Sequence, residues 1–190
     1  EKAPRHFALA GADYTGEVIM EDDEPISAVF DAKMHIEVLK KEGWVKVPLL
    51  PATVAVQSAK VGGQEAPLVL EGGYYTIFTD KKGSFDVNVS FAVGVDTAQG
   101  SSGFSFQLVP SGSTELTLSV PVSEDLDFTV VNARLKQDRV VGNKRVVEAT
   151  LPATGSLAVR WQREIPEAVE EEVARLYSEV YTLVGIGDGL

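Results

Sequence analysis

Two histidines, His6 and His35, and 28 acidic side chains are the whole titratable stock for catalysis near neutral pH, because the chain has no cysteine. Thiolate nucleophiles, disulfides and Cys-ligated metals are therefore excluded. His35 falls on the polar side of an alternating stretch, and no motif ties it to a nucleophile, so it reads as a solvated strand histidine. The G-x-S-x-G elbow, the P-loop, the dinucleotide-binding G-x-G-x-x-G and the H-E-x-x-H spacing are all absent, and "GSSGFS" at Gly100 to Ser105 misses the elbow by one position. The block "LPATG", Leu151 to Gly155, fits the L-P-x-T-G pentapeptide that sortases cut. A sorting signal also needs a membrane-length apolar segment of about 20 residues, followed by a basic tail. Here the acidic run "SLAVRWQREIPEAVEEEV" follows instead, and "LPAT" recurs at Leu50 to Thr53. Each copy lies between apolar strands, and the second reads as a turn in which Pro152 ends one strand and Gly155 opens the next.

Two acidic runs, Glu21-Asp22-Asp23-Glu24 and Glu124-Asp125-Leu126-Asp127, offer hard oxygen ligands, but neither has EF-hand spacing. They read as solvated loops that also blunt sheet edges, and no metal or other cofactor is expected. A carboxylate pair for glycoside hydrolysis needs a separation in space that spacing along the chain does not supply. Among the aromatics, Trp161 shares parity with Leu157 and Val159, and Phe104 shares a face with Phe106, so these three belong to a core. Trp44, Tyr74 and Tyr75 remain as surface aromatics that could stack on a sugar ring, and they are the candidate ligand-binding residues. The sequon Asn88-Val89-Ser90 sits inside a strand pattern and is discounted.

The elements that must hold these residues are strands. Phe30, Ala32, Met34, Ile36 and Val38 interleave with Asp31, Lys33, His35 and Glu37. Phe85 to Val93 and Leu116 to Val120 repeat the alternation, each giving one dry and one wet face. Turn chemistry separates them at Lys40 to Gly43, Gly62-Gly63, Gly72-Gly73, Asp80 to Gly83 and Gly142-Asn143. About ten short strands with such turns, and no helical pattern before residue 165, predict an all-β protein, an antiparallel β-sandwich with a short C-terminal helix or linker. "DTAQGSSG" (96–103) and "PSGST" (110–114) read as loops, and "VSEDLD" (122–127) as a crossover between the sheets.

The sandwich module is expected over residues 1–165, and a helical linker with the first strand of a following module over 166–190. Pro166 and the glutamates after it make a helix start. Val169, Val173, Leu176, Val180 and Val184 keep helical spacing, whereas "YTLVGIGDGL" is strand-like. Leu9, Tyr14 and Thr15 recur at a constant offset as Leu176, Tyr181 and Thr182, a weak echo of a second module. A chain that opens on Glu1 is expected to be a processed or trimmed product whose export signal or anchor lies outside it.

A formal net charge of −11 repels phosphate backbones and anionic lipid, so neither nucleic acid nor a membrane surface is an expected partner. Any membrane attachment is expected through an anchor outside these residues. The run "GWVKVPLLPATVAVQSAKVGGQEAPLVLEGGYYTIF", Gly43 to Phe78, resembles exported, membrane-anchored bacterial proteins built of consecutive β-sandwich modules. "YTLVGIGDGL" resembles the opening strand of the next module in that arrangement. The resemblance implies an extracytoplasmic place in the bacterial envelope, with neighbouring domains or another envelope protein as partners, and carries over no catalytic residue. The function expected is that of a non-enzymatic binding or structural spacer module. A carbohydrate-binding module is the alternative, and a glycan hydrolase a more distant one.

Overall fold

The computed structural model describes residues 6–122 and 124–163, and these form a two-layered all-β sandwich. The strands are β1 (Phe7–Glu21), β2 (Glu24–Val38), β3 (Val45–Pro51), β4 (Ala55–Val61), β5 (Gln64–Glu65), β6 (Val69–Glu71), β7 (Tyr74–Thr79) and β8 (Gly83–Gly94). They continue as β9 (Asp96–Ala98), β10 (Ser101–Gln107), β11 (Thr114–Val120), β12 (Leu126–Val130), β13 (Leu135–Val141), β14 (Lys144–Leu151) and β15 (Ser156–Arg163). One layer is an eight-stranded sheet in the order β13-β14-β11-β1-β2-β8-β4-β5. The four-stranded β12-β15-β10-β9 and the three-stranded β3-β7-β6 supply the other faces of the core. Every pairing is antiparallel except that of β1 with β11, which runs parallel with Ala12 opposite Thr114 and Glu17 opposite Ser119. The helix and strand expected within 166–190, with the second-module boundary they imply, lie outside the described residues.

Period-2 patterning dictates which faces meet. Phe30, Ala32, Met34, Ile36 and Val38 are all buried, whereas Asp31, Lys33, His35 and Glu37 point to water. Val87, Val89, Phe91 and Val93 of β8, and Leu116, Leu118 and Val120 of β11, fill the same interior. At its centre is an aromatic cluster. Phe30 stacks on Phe91 at 5.3 Å and meets Phe104 and Phe106 of the opposite layer edge-on at 5.4 and 5.9 Å. Tyr14 closes on Phe91 and Phe106, and burial pushes its phenol pKa well up.

Gly16 makes room for this cluster. It lies directly opposite Phe30, and a Cβ built on it would stand 2.7 Å from Phe30 Cδ1 and 2.9 Å from Cζ, with Cε1 nearer still. The glycine is thus required for space, because a neighbouring strand's ring lies over its α-carbon.

The segment 96–103 departs from its expected loop character. It forms the hairpin β9–β10, turning at Gln99 and Gly100 with φ of 52° and 79°. Small polar residues hide this strand pair because their polarity is satisfied within it: Thr97 and Ser102 bond hydroxyl to hydroxyl at 2.9 Å, and Ser102 is buried. The 122–127 segment does carry the chain from the large sheet to the four-stranded one, with Leu126 and Asp127 already inside β12. Both "LPAT" copies are likewise changes of sheet. Leu50 and Leu151, each essentially fully buried, lie at the ends of β3 and β14, which stop at Pro51 and Leu151, and the chain then enters β4 and β15 in another sheet. Thr154 accepts from the Ser156 amide at 3.4 Å and so folds the second copy into a turn.

Candidate functional site

The expected aromatic platform does not assemble. Trp44 precedes β3 and is 64% exposed. Tyr74 pairs with Pro51 at the far end of the β3–β7 ladder, whose near end is Val45 opposite Thr79. At about 3.3 Å per residue the two lie roughly 20 Å apart. Tyr75 packs against the core, and the Tyr74 hydroxyl donates to Gln107 Oε1 at 3.2 Å. Beside Trp44, Lys46 lies over the Phe78 ring at 5.5 Å and pairs with Glu71 at 2.5 Å. Trp161, Phe104 and Phe106 are core residues, as their parity indicates.

His35 is exposed on the outer face of the large sheet. Its Nδ1–H donates to Asp86 Oδ1 at 2.8 Å, while Lys33 reaches Asp86 Oδ2 at 3.0 Å. The hydrogen bond from His35, then that from Lys33, hold the Asp86 carboxyl below the ordinary Asp range. The neighbouring Ser90 hydroxyl is committed to Asp31. This is an oriented surface cluster on a wet sheet face, with the imidazole directed at a carboxylate.

A cleft of about 480 Å³ opens at one end of the sandwich, where the layers part. Three connections converge there: the β1–β2 turn, the β9–β10 turn and the β11–β12 crossover. Met20, Val120, Val122, Leu126 and Trp161 give it apolar walls. The two acidic runs that are a hundred residues apart in sequence meet at its rim, through Asp23, Glu24 and Glu124. Asp22 and Asp23 form the β1–β2 turn in the left-handed region, with φ of 50° and 63°, which holds their carboxylates outward. Across the rim Arg163 Nε meets Glu124 at 2.7 Å, and Arg145 clamps Asp125 at 2.6 Å. Among the described residues no three His, Asp or Glu side chains converge as a metal site would need. The cleft can hold an apolar body with a cationic or hydrogen-bonding end, through burial at its walls and charge at its rim. Sequence reading missed it because its walls come from five separate strands and connections, and no periodicity links them.

No protein-family model matches the chain, and no curated protein matches it. Solved structures do. The M1 zinc metallopeptidase of Deinococcus radiodurans aligns with a TM-score of 0.56 at 12% identity, over 83% of this chain and 42% of that one. Native leukotriene A4 hydrolase from Saccharomyces cerevisiae aligns at 0.53 and 15% identity, over 82% of this chain and 29% of the other. A candidate nutrient-binding protein of Legionella pneumophila aligns at 0.58 and 9% identity, over 83% and 67%. At such identities the likeness concerns the fold alone. The chain spans less than half the length of the Deinococcus peptidase.

Proposed function

We propose that this chain is a non-enzymatic binding or spacer module of a larger, extracytoplasmic protein of the bacterial envelope, and that its binding end is the cleft walled by Leu126 and Trp161. The observation that carries the reading is the convergence of three inter-strand connections around an apolar, acid-rimmed hollow at one end of a rigid sandwich. Loops presented by a packed scaffold are where sandwich proteins place recognition. The likeness to 42% of one peptidase chain and 29% of another supports the modular part, since in both a sandwich of this kind is one portion of a longer protein. The envelope location rests on the resemblance of the run Gly43 to Phe78 alone.

The test is a two-armed screen of the purified chain. One arm offers fluorogenic aminopeptidase and glycosidase substrates with and without zinc. The other follows melting temperature against amines, cationic peptides, glycans and calcium. A module shows no turnover, and a ligand for the cleft raises the melting temperature progressively with its concentration. Leu126→Asp removes that rise while Trp44→Ala leaves it intact. Turnover that copurifies with the chain overturns the non-enzymatic reading. Binding lost with Trp44→Ala, but kept in Leu126→Asp, moves the site to the exposed tryptophan and favours the carbohydrate-binding alternative.

A further inference from the structure

Among the described residues, none pairs with the outer edge of the eight-stranded sheet's end strand, β13. All seven residues of β13 are exposed, including Leu135, Val140 and Val141 at 56%, 54% and 51%. Among the described residues β13 pairs only with β14, and the tight turn that joins Val141 to Lys144 through Gly142-Asn143 sets its polarity. Val141 and alternate residues back to Leu135 bond inward to β14, so the backbone groups of Lys136, Asp138 and Val140 face outward. A strand of this length with outward amides is a template for another strand, and natural sheets usually blunt such an edge.

The side chains on β13 select what can add to it. Lys136, Asp138 and Val140 share the face turned toward the opposite layer, where the Lys136 ammonium also donates to the Phe128 carbonyl of β12. A neutral strand laid along this edge desolvates the Asp138 carboxylate against nothing of opposite charge. A second copy does not. In an antiparallel pair centred on Gln137, Lys136 of each copy faces Asp138 of the other, and these are the positions that exchange backbone hydrogen bonds. Centring on Asp138 instead sets two carboxylates directly opposite, which is unfavourable. The other charges of the hairpin are already matched within the chain, Arg139 by Glu148, Lys144 by Glu17 and Arg145 by Asp125. The chain's overall charge of −11 is therefore locally offset at this edge.

The geometry points to β13 as a homotypic docking edge: two copies join antiparallel through β13, register centred on Gln137, to make one sheet of twice the width. The seam is a single strand pair of small area, so the association is weak and reversible.

Sedimentation equilibrium of the purified chain from micromolar to near-millimolar concentration tests it. The wild type shows a monomer–dimer equilibrium. Asp138→Lys weakens the dimer by roughly tenfold or more, because two symmetry-related pairs turn from attraction to repulsion. The exchange Lys136→Asp with Asp138→Lys restores it. Melting temperatures, read in parallel, confirm that Asp138→Lys is folded, as expected for an exposed position. A wild type that stays monomeric throughout overturns the proposal. So does a dimer that ignores Asp138→Lys, and so does a double exchange that fails to recover affinity.

Discussion

Replacing Gly16 by Ala probes the aromatic centre with the smallest available change. The added methyl meets the Phe30 ring at under 3 Å at three of its carbons, and that ring is fully buried between Phe91, Phe104 and Phe106. The ring must tilt and carry its neighbours with it. Overpacking of this kind costs about 1–3 kcal/mol, while removing glycine's freedom from the unfolded chain returns about 0.4–1 kcal/mol. The net expectation is a loss of about 1–2 kcal/mol, a fall in melting temperature of roughly 3–6 °C for a domain of this size. Urea denaturation of wild type, Gly16→Ala, Phe30→Leu and the double variant measures it. Since Leu does not fill the space over the strand, the double variant loses less than the two singles together, with a coupling of about 1 kcal/mol. A Gly16→Ala chain as stable as wild type, or strictly additive losses, refutes the claim that Gly16 is there to admit the Phe30 ring.

Three further outcomes follow from the same geometry. Asp23→Gly relieves a left-handed non-glycine residue at the β1–β2 turn and raises stability by about 0.5 kcal/mol in urea melts. Asp86 titrates below an ordinary aspartate in carboxyl-detected NMR, and its midpoint moves up in His35→Ala. Because the folded value is the lowered one, its contribution to stability is present above the unfolded Asp value of about 3.9 and fades as pH falls from there through the folded one. Incubated with a sortase and a glycine-amine label, the folded chain remains unlabelled at Thr154, because Leu151 is buried and Thr154 is bonded into a turn. Labelling at a rate matching an unstructured LPATG peptide contradicts that account.

Much of the fold was legible wherever a strand has one dry and one wet face. β2, β8 and β11 alternate cleanly, and their buried residues are the ones that alternation selects. β1 was harder to see because Gly11, Gly16, Ala10 and Ala12 dilute its apolar stripe, though it pairs along its length with β2. β9 and the start of β10 were hidden by serine and glycine, whose composition is that of a loop while their hydroxyls are satisfied across the pair. β13 carries no inward stripe at all. The parallel partnership of β1 and β11 left no trace, since period-2 patterning is the same for either direction. At the candidate site, chemistry was legible and convergence was not. The sequence shows two acidic runs and a core tryptophan, but only the fold brings Asp23, Glu124 and Trp161 around one hollow.

The parallel seam between β1 and β11 has a kinetic corollary. It joins Ala12 to Thr114 near the middle of the large sheet, so the first strand cannot acquire its second neighbour until the chain has been made almost to Val120. The β1–β2 hairpin can close early from local contacts, but it must then wait half-dressed, with one long edge exposed, through the synthesis of eight intervening strands. Closure across so long a loop is entropically slow, and β-rich chains dominated by such distant pairings fold on the slow side for their size. During that interval the exposed side of β1 is the place where a nascent chain is most open to mispairing, and where a holding chaperone has most to do.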